Sequence, residues 1–156
     1  MARLPHLYVA LSGHGFGHLA QVAPVLNELH RRGRPLRLTL QTLIPAEVLR
    51  GRIAADFTLV AGGADFGMLM VDVLTVRVAE SLTAYRDFHR DWAVRRAWQE
   101  AQLQTAAPDL LLADVPYLSL AAAARLRIPA LALCSLHWAD ILRGYGLNRT
   151  TSIMGG

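Results

Sequence analysis

The chain has 156 residues, 53% of them hydrophobic and 18% charged, a balance that supports one compact domain with its own core and argues against a disordered or fibrous chain. Its net charge of +4 is the balance of sixteen basic against twelve acidic residues; the basic ones are all Arg and spread along the chain, so no patch designed for nucleic acid is expected. The one cysteine, Cys134, excludes an internal disulfide framework and a Cys-rich metal site and is expected to be a small buried residue.

Residues His6 to Ser12 are rich in Leu, Tyr and Val with little alternation, as in a central parallel strand covered on both faces. After the loop Gly13 to Gly17, apolar residues at Leu19, Val22, Leu26 and Leu29 keep helical spacing, and Gly33 is a natural helix stop. Arg31, Arg32, Arg34 and Arg37 bracket that helix end, where cations suit the dipole. Leu36 to Gln41 predicts a second strand, Ala46 to Ile53 a short helix and Phe57 to Val60 a third strand. From Ala61 to Thr75, with Gly62, Gly63 and Gly67, no clean period appears, which predicts a long connection at a pocket rim.

Ala79 to Ala107 contains neither Gly nor Pro and places Leu82, Tyr85, Phe88 and Trp92 on one stripe, predicting a single long helix. Strand, helix and strand follow at Leu110 to Ala113, Pro116 to Leu126 and Ala130 to Cys134. Residues 147–156 show no period and are expected to be an irregular tail of a truncated chain, with the domain proper at 1–146. The longest apolar run, Leu118 to Cys134, is broken by Arg125, Arg127 and Pro129, so no membrane span is expected. The stretch after Arg3 runs through His6 into a glycine loop, unlike a cleavable signal, and the expected location is cytoplasmic.

Together these elements predict an α/β fold: a single Rossmann-like, doubly wound parallel sheet in the order 3-2-1-4-5. The long helix returns the chain from the third strand to the far side of the first. Ligands of such sheets bind at the carboxyl edge, where the connections from neighbouring strands diverge.

Ser12-Gly13-His14-Gly15-Phe16-Gly17-His18 occupies that edge, and its glycines let backbone amides approach a ligand. The dinucleotide fingerprint fails because His18 stands where its third glycine belongs, and the phosphate-loop pattern lacks its Gly-Lys-Ser/Thr. His14 and His18 without a third ligand make a weak metal site, so no metal is expected. A tight turn whose glycines serve packing alone is the other reading of this loop. Asp65-Phe66-Gly67 and His89-Arg90-Asp91 spell kinase motifs in reversed order and without the supporting elements, which marks them as coincidence.

Gly17-His18, followed by the helix ending Leu29-His30-Arg31-Arg32-Gly33, resembles the first β/α unit of inverting GT-B glycosyltransferases. Pro108-Asp109-Leu110-Leu111-Leu112-Ala113-Asp114, an Ala-rich helix and Arg127-Ile128-Pro129-Ala130 resemble the fourth strand, helix and fifth strand of the same N-terminal domain. The Gly13 to His18 loop and Ser135-Leu136-His137-Trp138-Ala139-Asp140 are most similar to bacterial glycosyltransferase-like proteins and to the N-terminal domain of plant arabinose kinases.

The resemblance implies His18 as general base on an acceptor hydroxyl and Asp114 as the carboxylate that orients it. Gln21 stands where those enzymes usually carry Pro, which here is Pro24. Gly13, His14, Gly15, Phe16, Gly17, Asp65, His137 and Trp138 are the expected substrate contacts, with Phe66 and Gly67 helping to shape the pocket. The implied partner is a small-molecule sugar or other hydroxyl acceptor. No cofactor is implied; a nucleotide-sugar donor such as a UDP-sugar is expected only with a C-terminal donor domain that this chain lacks. The alternative function is a sugar-binding or regulatory module of the kind appended to a sugar kinase. His18 then binds a ligand, or bonds only to backbone at the helix start, and Asp114 serves as an ordinary strand-end or helix-capping residue.

Overall fold

The computed structural model describes residues 3–65, 67–72 and 74–153, with side chains described through residue 145. Phe66 lies outside the described residues. Strand β1 (His6–Leu11) is buried at every position because it has a strand on each side and helices over both faces. It pairs in parallel with β2 (Arg37–Thr42) and with β4 (Leu110–Asp114). Strand β3 (Thr58–Ala61) adds to β2 and β5 (Ala130–Ala132) adds to β4. The order is β3-β2-β1-β4-β5, as the sequence predicts. The register sets Leu11 opposite Asp114, so the last residues of the two central strands meet at one edge.

The period of two along β1 divides the core. Leu7, Val9 and Leu11 face α1 (Phe16–Arg31), where Leu19, Val22 and Leu26 form the buried stripe, and they also meet Leu49 of α2 (Ala46–Arg50). Tyr8 and Ala10 face the opposite side, against Leu103 and the small residues Ala122 and Ala123 of α5 (Tyr117–Leu126). Each fully buried Leu or Val stabilises the fold by about 1.5–3 kcal/mol relative to an exposed one.

The expected helix from 79 to 107 is two helices, α3 (Val78–Arg90) and α4 (Trp92–Ala106), separated at Asp91 with φ −93° and ψ 15°. Backbone bonding continues across the break, from Asp91 N–H to the Asp87 carbonyl and from Arg95 N–H to the Asp91 carbonyl. The halves serve different surfaces. Tyr85 and Phe88 of α3 pack over the carboxyl-edge loops, whereas Leu103 of α4 packs on the sheet face. Tertiary packing, not a helix-breaking residue, therefore sets the break.

Helix α4 is fastened to the sheet by a buried amide pair. Gln41 and Gln99 each donate to the other at 2.8 Å, and the Tyr8 hydroxyl donates to Gln41 Oε1 at 3.1 Å. Gln99→Leu would strand the Gln41 amide in the core, at an expected cost of about 1–3 kcal/mol. A lower urea midpoint at unchanged slope would report it; an unchanged midpoint would show that the pair contributes nothing net.

Two further expectations need correction. Cys134 is exposed, not buried: β5 is the edge strand, ends at Ala132 and is itself exposed at all three positions, so Cys134 lies beyond the strand expected to bury it. Residues 147–153, expected to be irregular, continue α6 (Trp138–Ile153); the helix carries no apolar stripe there from which periodicity could reveal it. Residues 154–156 of the expected tail lie outside the described residues. Among the described residues no helix is long and apolar enough to cross a membrane.

Candidate functional site

The glycine loop turns the chain sharply from β1 into α1. Gly15, at φ +80°, is the residue before the helix, and no side chain caps the amides of the first turn. His18 lies in that first turn yet is only 5% exposed, because its ring turns inward beneath the carboxyl edge. Asp114, the last residue of β4, is 0% exposed. His18 Nδ1 and Asp114 Oδ2 stand 2.9 Å apart. The separation is within hydrogen-bonding reach, and both atoms are buried.

The chain after Asp114 is strained. Val115 has φ +71°, a conformation rare for a β-branched residue and costing on the order of 1–3 kcal/mol. Its buried packing with Met68, Tyr85 and Trp138 holds it there.

Trp138 opens α6 and is 3% exposed. Its indole N–H donates to Asp65 Oδ2 at 2.8 Å. The indole lies 5.1 Å from the His14 ring, edge-on, and 5.9 Å from the His18 ring. His14 is backed on another side by Gly67, where an added Cβ would come within 2.5 Å of the ring.

A cavity of about 380 Å³ opens beside these rings. His14, Gly17, His18 and Gln21 form its polar wall, and Met68, Met70, Val76, Leu136, Trp138, Ile141 and Tyr145 line the remainder. Larger hollows of about 630 and 540 Å³ lie along α1 and α2 and at the amino edge of the sheet, and neither is lined by His18 or Asp114.

Asp114 raises the His18 pKa above its ordinary 6.5, outweighing the opposite effect of burial, and the charge of Asp65 adds to the rise. His14 moves the other way, lowered by burial and then by the charge of His18, with Asp65 opposing. Burial raises the Asp65 pKa, while contacts from Trp138 and Ser12 and the charge of His18 hold it down. With Nδ1 turned to a carboxylate, His18 keeps Nε2 for a ligand, the arrangement of an oriented general base. Among the described residues no three His, Cys, Asp or Glu side chains could together hold a metal ion.

His18, Asp114, His14, Gly17, Asp65 and Trp138 thus come together, although Asp65 reaches the cavity only through Trp138. Gly15 leaves open space at the loop, and Gly13 packs on Leu43. Two of the expected contact residues do not line this cavity. Phe16 is 66% exposed and lines the hollow between α1 and α2; two residues along a helix separate it from His18 by about 200°. His137 is exposed, and its Nδ1 accepts the Ala139 N–H at 3.3 Å at the start of α6. Gln21, one helical turn from His18, was legible from that spacing but not assigned to the site; it donates to Ser135 Oγ at 2.9 Å. Met68, Met70 and Val76 lie in a connection with no period to signal them.

No protein-family model matches the chain, and no curated protein sequence does. Among solved structures, its doubly wound domain shares the fold of GT-B glycosyltransferases. The calicheamicin glycosyltransferase CalG4 is 25% identical, with a TM-score of 0.58 over 86% of this chain and 31% of that one. MurG of Acinetobacter baumannii, 13% identical with a TM-score of 0.54, matches 90% of this chain and 39% of its own, a likeness of fold alone. The chain spans 31% and 39% of the lengths of these two enzymes.

Proposed function

We propose that the chain is the acceptor-binding half of an inverting nucleotide-sugar glycosyltransferase, with the donor held by a second domain. The observation that carries this reading is the buried His18–Asp114 pair, 2.9 Å apart beside the carboxyl-edge cavity. An acceptor hydroxyl bonded to His18 Nε2 gives up its proton to that nitrogen as its oxygen attacks the anomeric carbon. The new C–O bond forms while the bond to the nucleoside diphosphate breaks on the opposite face, which inverts the centre. Asp114 stabilises the imidazolium and holds the tautomer. The apolar lining from Met68, Met70, Val76, Leu136 and Ile141 suits a hydroxyl-bearing molecule with a largely apolar surface.

The purified chain alone is expected to transfer no sugar, since the groups that would bind the donor and stabilise its leaving group belong to the other domain. Joined to a donor-binding domain and supplied with UDP-sugars and a panel of apolar alcohols and phenols, it is expected to give product detectable by mass spectrometry. Robust transfer by the isolated chain would show that the site is not a half-site. The second reading, a sugar-binding or regulatory module, rests on the same cavity, whose polar wall can hold a hydroxyl-bearing ligand without turnover. Saturable sugar binding without transfer in the joined protein would favour it.

A further inference from the structure

We infer that Asp65 is a positioning residue: by accepting the Trp138 indole N–H it locks the first turn of α6 against His14 and His18 and so fixes the shape of the cavity. The inference rests on the proposed reading of that cavity as the acceptor site and adds a residue which the reaction itself does not use. Asp65 belongs to the irregular segment between β3 and α3, where the strand pairing among the described residues is the isolated Met70–Val76 bridge. A carboxylate only 7% exposed in such a segment is costly unless donors compensate it, and a neutral side chain would avoid that cost. The indole N–H is a directed donor to it, and Ser12 contacts it as well.

This bond joins chain regions 73 residues apart at the point where they meet α1. The Trp138 ring touches both histidines, so its position is also a boundary condition on theirs. Gly67, two residues beyond Asp65, backs the His14 ring, so that ring is held between the connection on one side and the indole on the other. The apolar cluster of Met68, Tyr85, Val115 and Trp138 extends the same lock to the strained residue after Asp114. Asp65 thus reaches both ends of the His18–Asp114 pair without touching the cavity.

The test uses nuclear magnetic resonance on the whole chain, with the Trp138 indole signal assigned by its loss in Trp138→Phe. In Asp65→Ala the indole N–H is expected to move to the position of a free, rapidly exchanging indole, and the His14 and His18 ring protons to lose the shift imposed by Trp138. Asp65→Asn keeps an acceptor oxygen and is expected to restore both signatures. An unchanged indole signal in folded Asp65→Ala, or an Asp65→Asn as disrupted as Asp65→Ala, would overturn the inference. If Asp65→Ala does not fold, Asp65→Leu decides, since it fills the space and removes the acceptor while keeping the indole: unchanged indole and histidine signals there overturn the inference, and displaced ones support it. In the joined two-domain enzyme, Asp65→Ala is expected to raise the acceptor KM about tenfold with a smaller change in kcat. Absence of transfer by the unmutated joined enzyme would count against the glycosyltransferase reading alone, because the resonance signatures need no turnover.

Discussion

Replacing His18 by Ala in a two-domain enzyme that uses this chain as its acceptor half is expected to lower the transfer rate by about 10²- to 10⁴-fold, the usual contribution of a positioned general base. The loss should appear equally in kcat and kcat/KM, because proton transfer to Nε2 is made only as the transition state forms. Ala also empties space around a ring that is 5% exposed and leaves Asp114, at 0% exposure, without its partner. His18→Gln separates the two effects. Its amide fills much of the same volume and can donate to Asp114, yet it cannot take the proton, so stability should largely return while the rate stays low. A His18→Gln enzyme with full transfer activity would remove the base from the mechanism.

Local chemistry made the scaffold legible. The unalternating run of β1 and the glycines around His14 announced a buried strand opening into a helix, and the parallel order followed from the crossovers. Once β1 and β4 were neighbours, His18 and Asp114 had to approach one edge, because both follow or end those strands. The rest of the site depends on partners that no local pattern encodes. Asp65 and Trp138 meet across 73 residues, one from a connection without a period. His137 and Trp138 were expected to share the pocket, but adjacent residues at a helix start diverge by about 100°, and only the indole turns inward. Asp91 interrupts a helix without Gly or Pro because α3 and α4 have different surfaces to cover. Nothing in the identity of Val115 announces its φ of +71°; packing imposes it.

Asp114→Asn is the second change expected to have a large effect, slowing transfer by about 10²- to 10⁴-fold through the tautomer of His18. An amide can turn its NH₂ toward Nδ1, which makes that nitrogen the acceptor and leaves the proton on Nε2, where the acceptor hydroxyl needs a lone pair. The pH dependence gives a sharper test, because rate and stability should run in opposite directions. Asp114 raises the folded pKa of His18 above its ordinary 6.5, against the effect of burial. The stabilisation from charging His18 is therefore fully present below pH about 6.5 and fades as pH rises through the raised folded value. The melting temperature of the native chain should thus exceed that of Asp114→Asn most in mildly acid solution, with the gap closing toward alkaline pH. The transfer rate needs the neutral imidazole, so in the native enzyme it should climb over that same interval and level off above it. In Asp114→Asn, burial is opposed only by the charge of Asp65, and the residual activity should begin its climb at lower pH. A gap in melting temperature that widens with pH, or an acid limb of the rate profile that stays in place, would show that Asp114 does not set the protonation of His18.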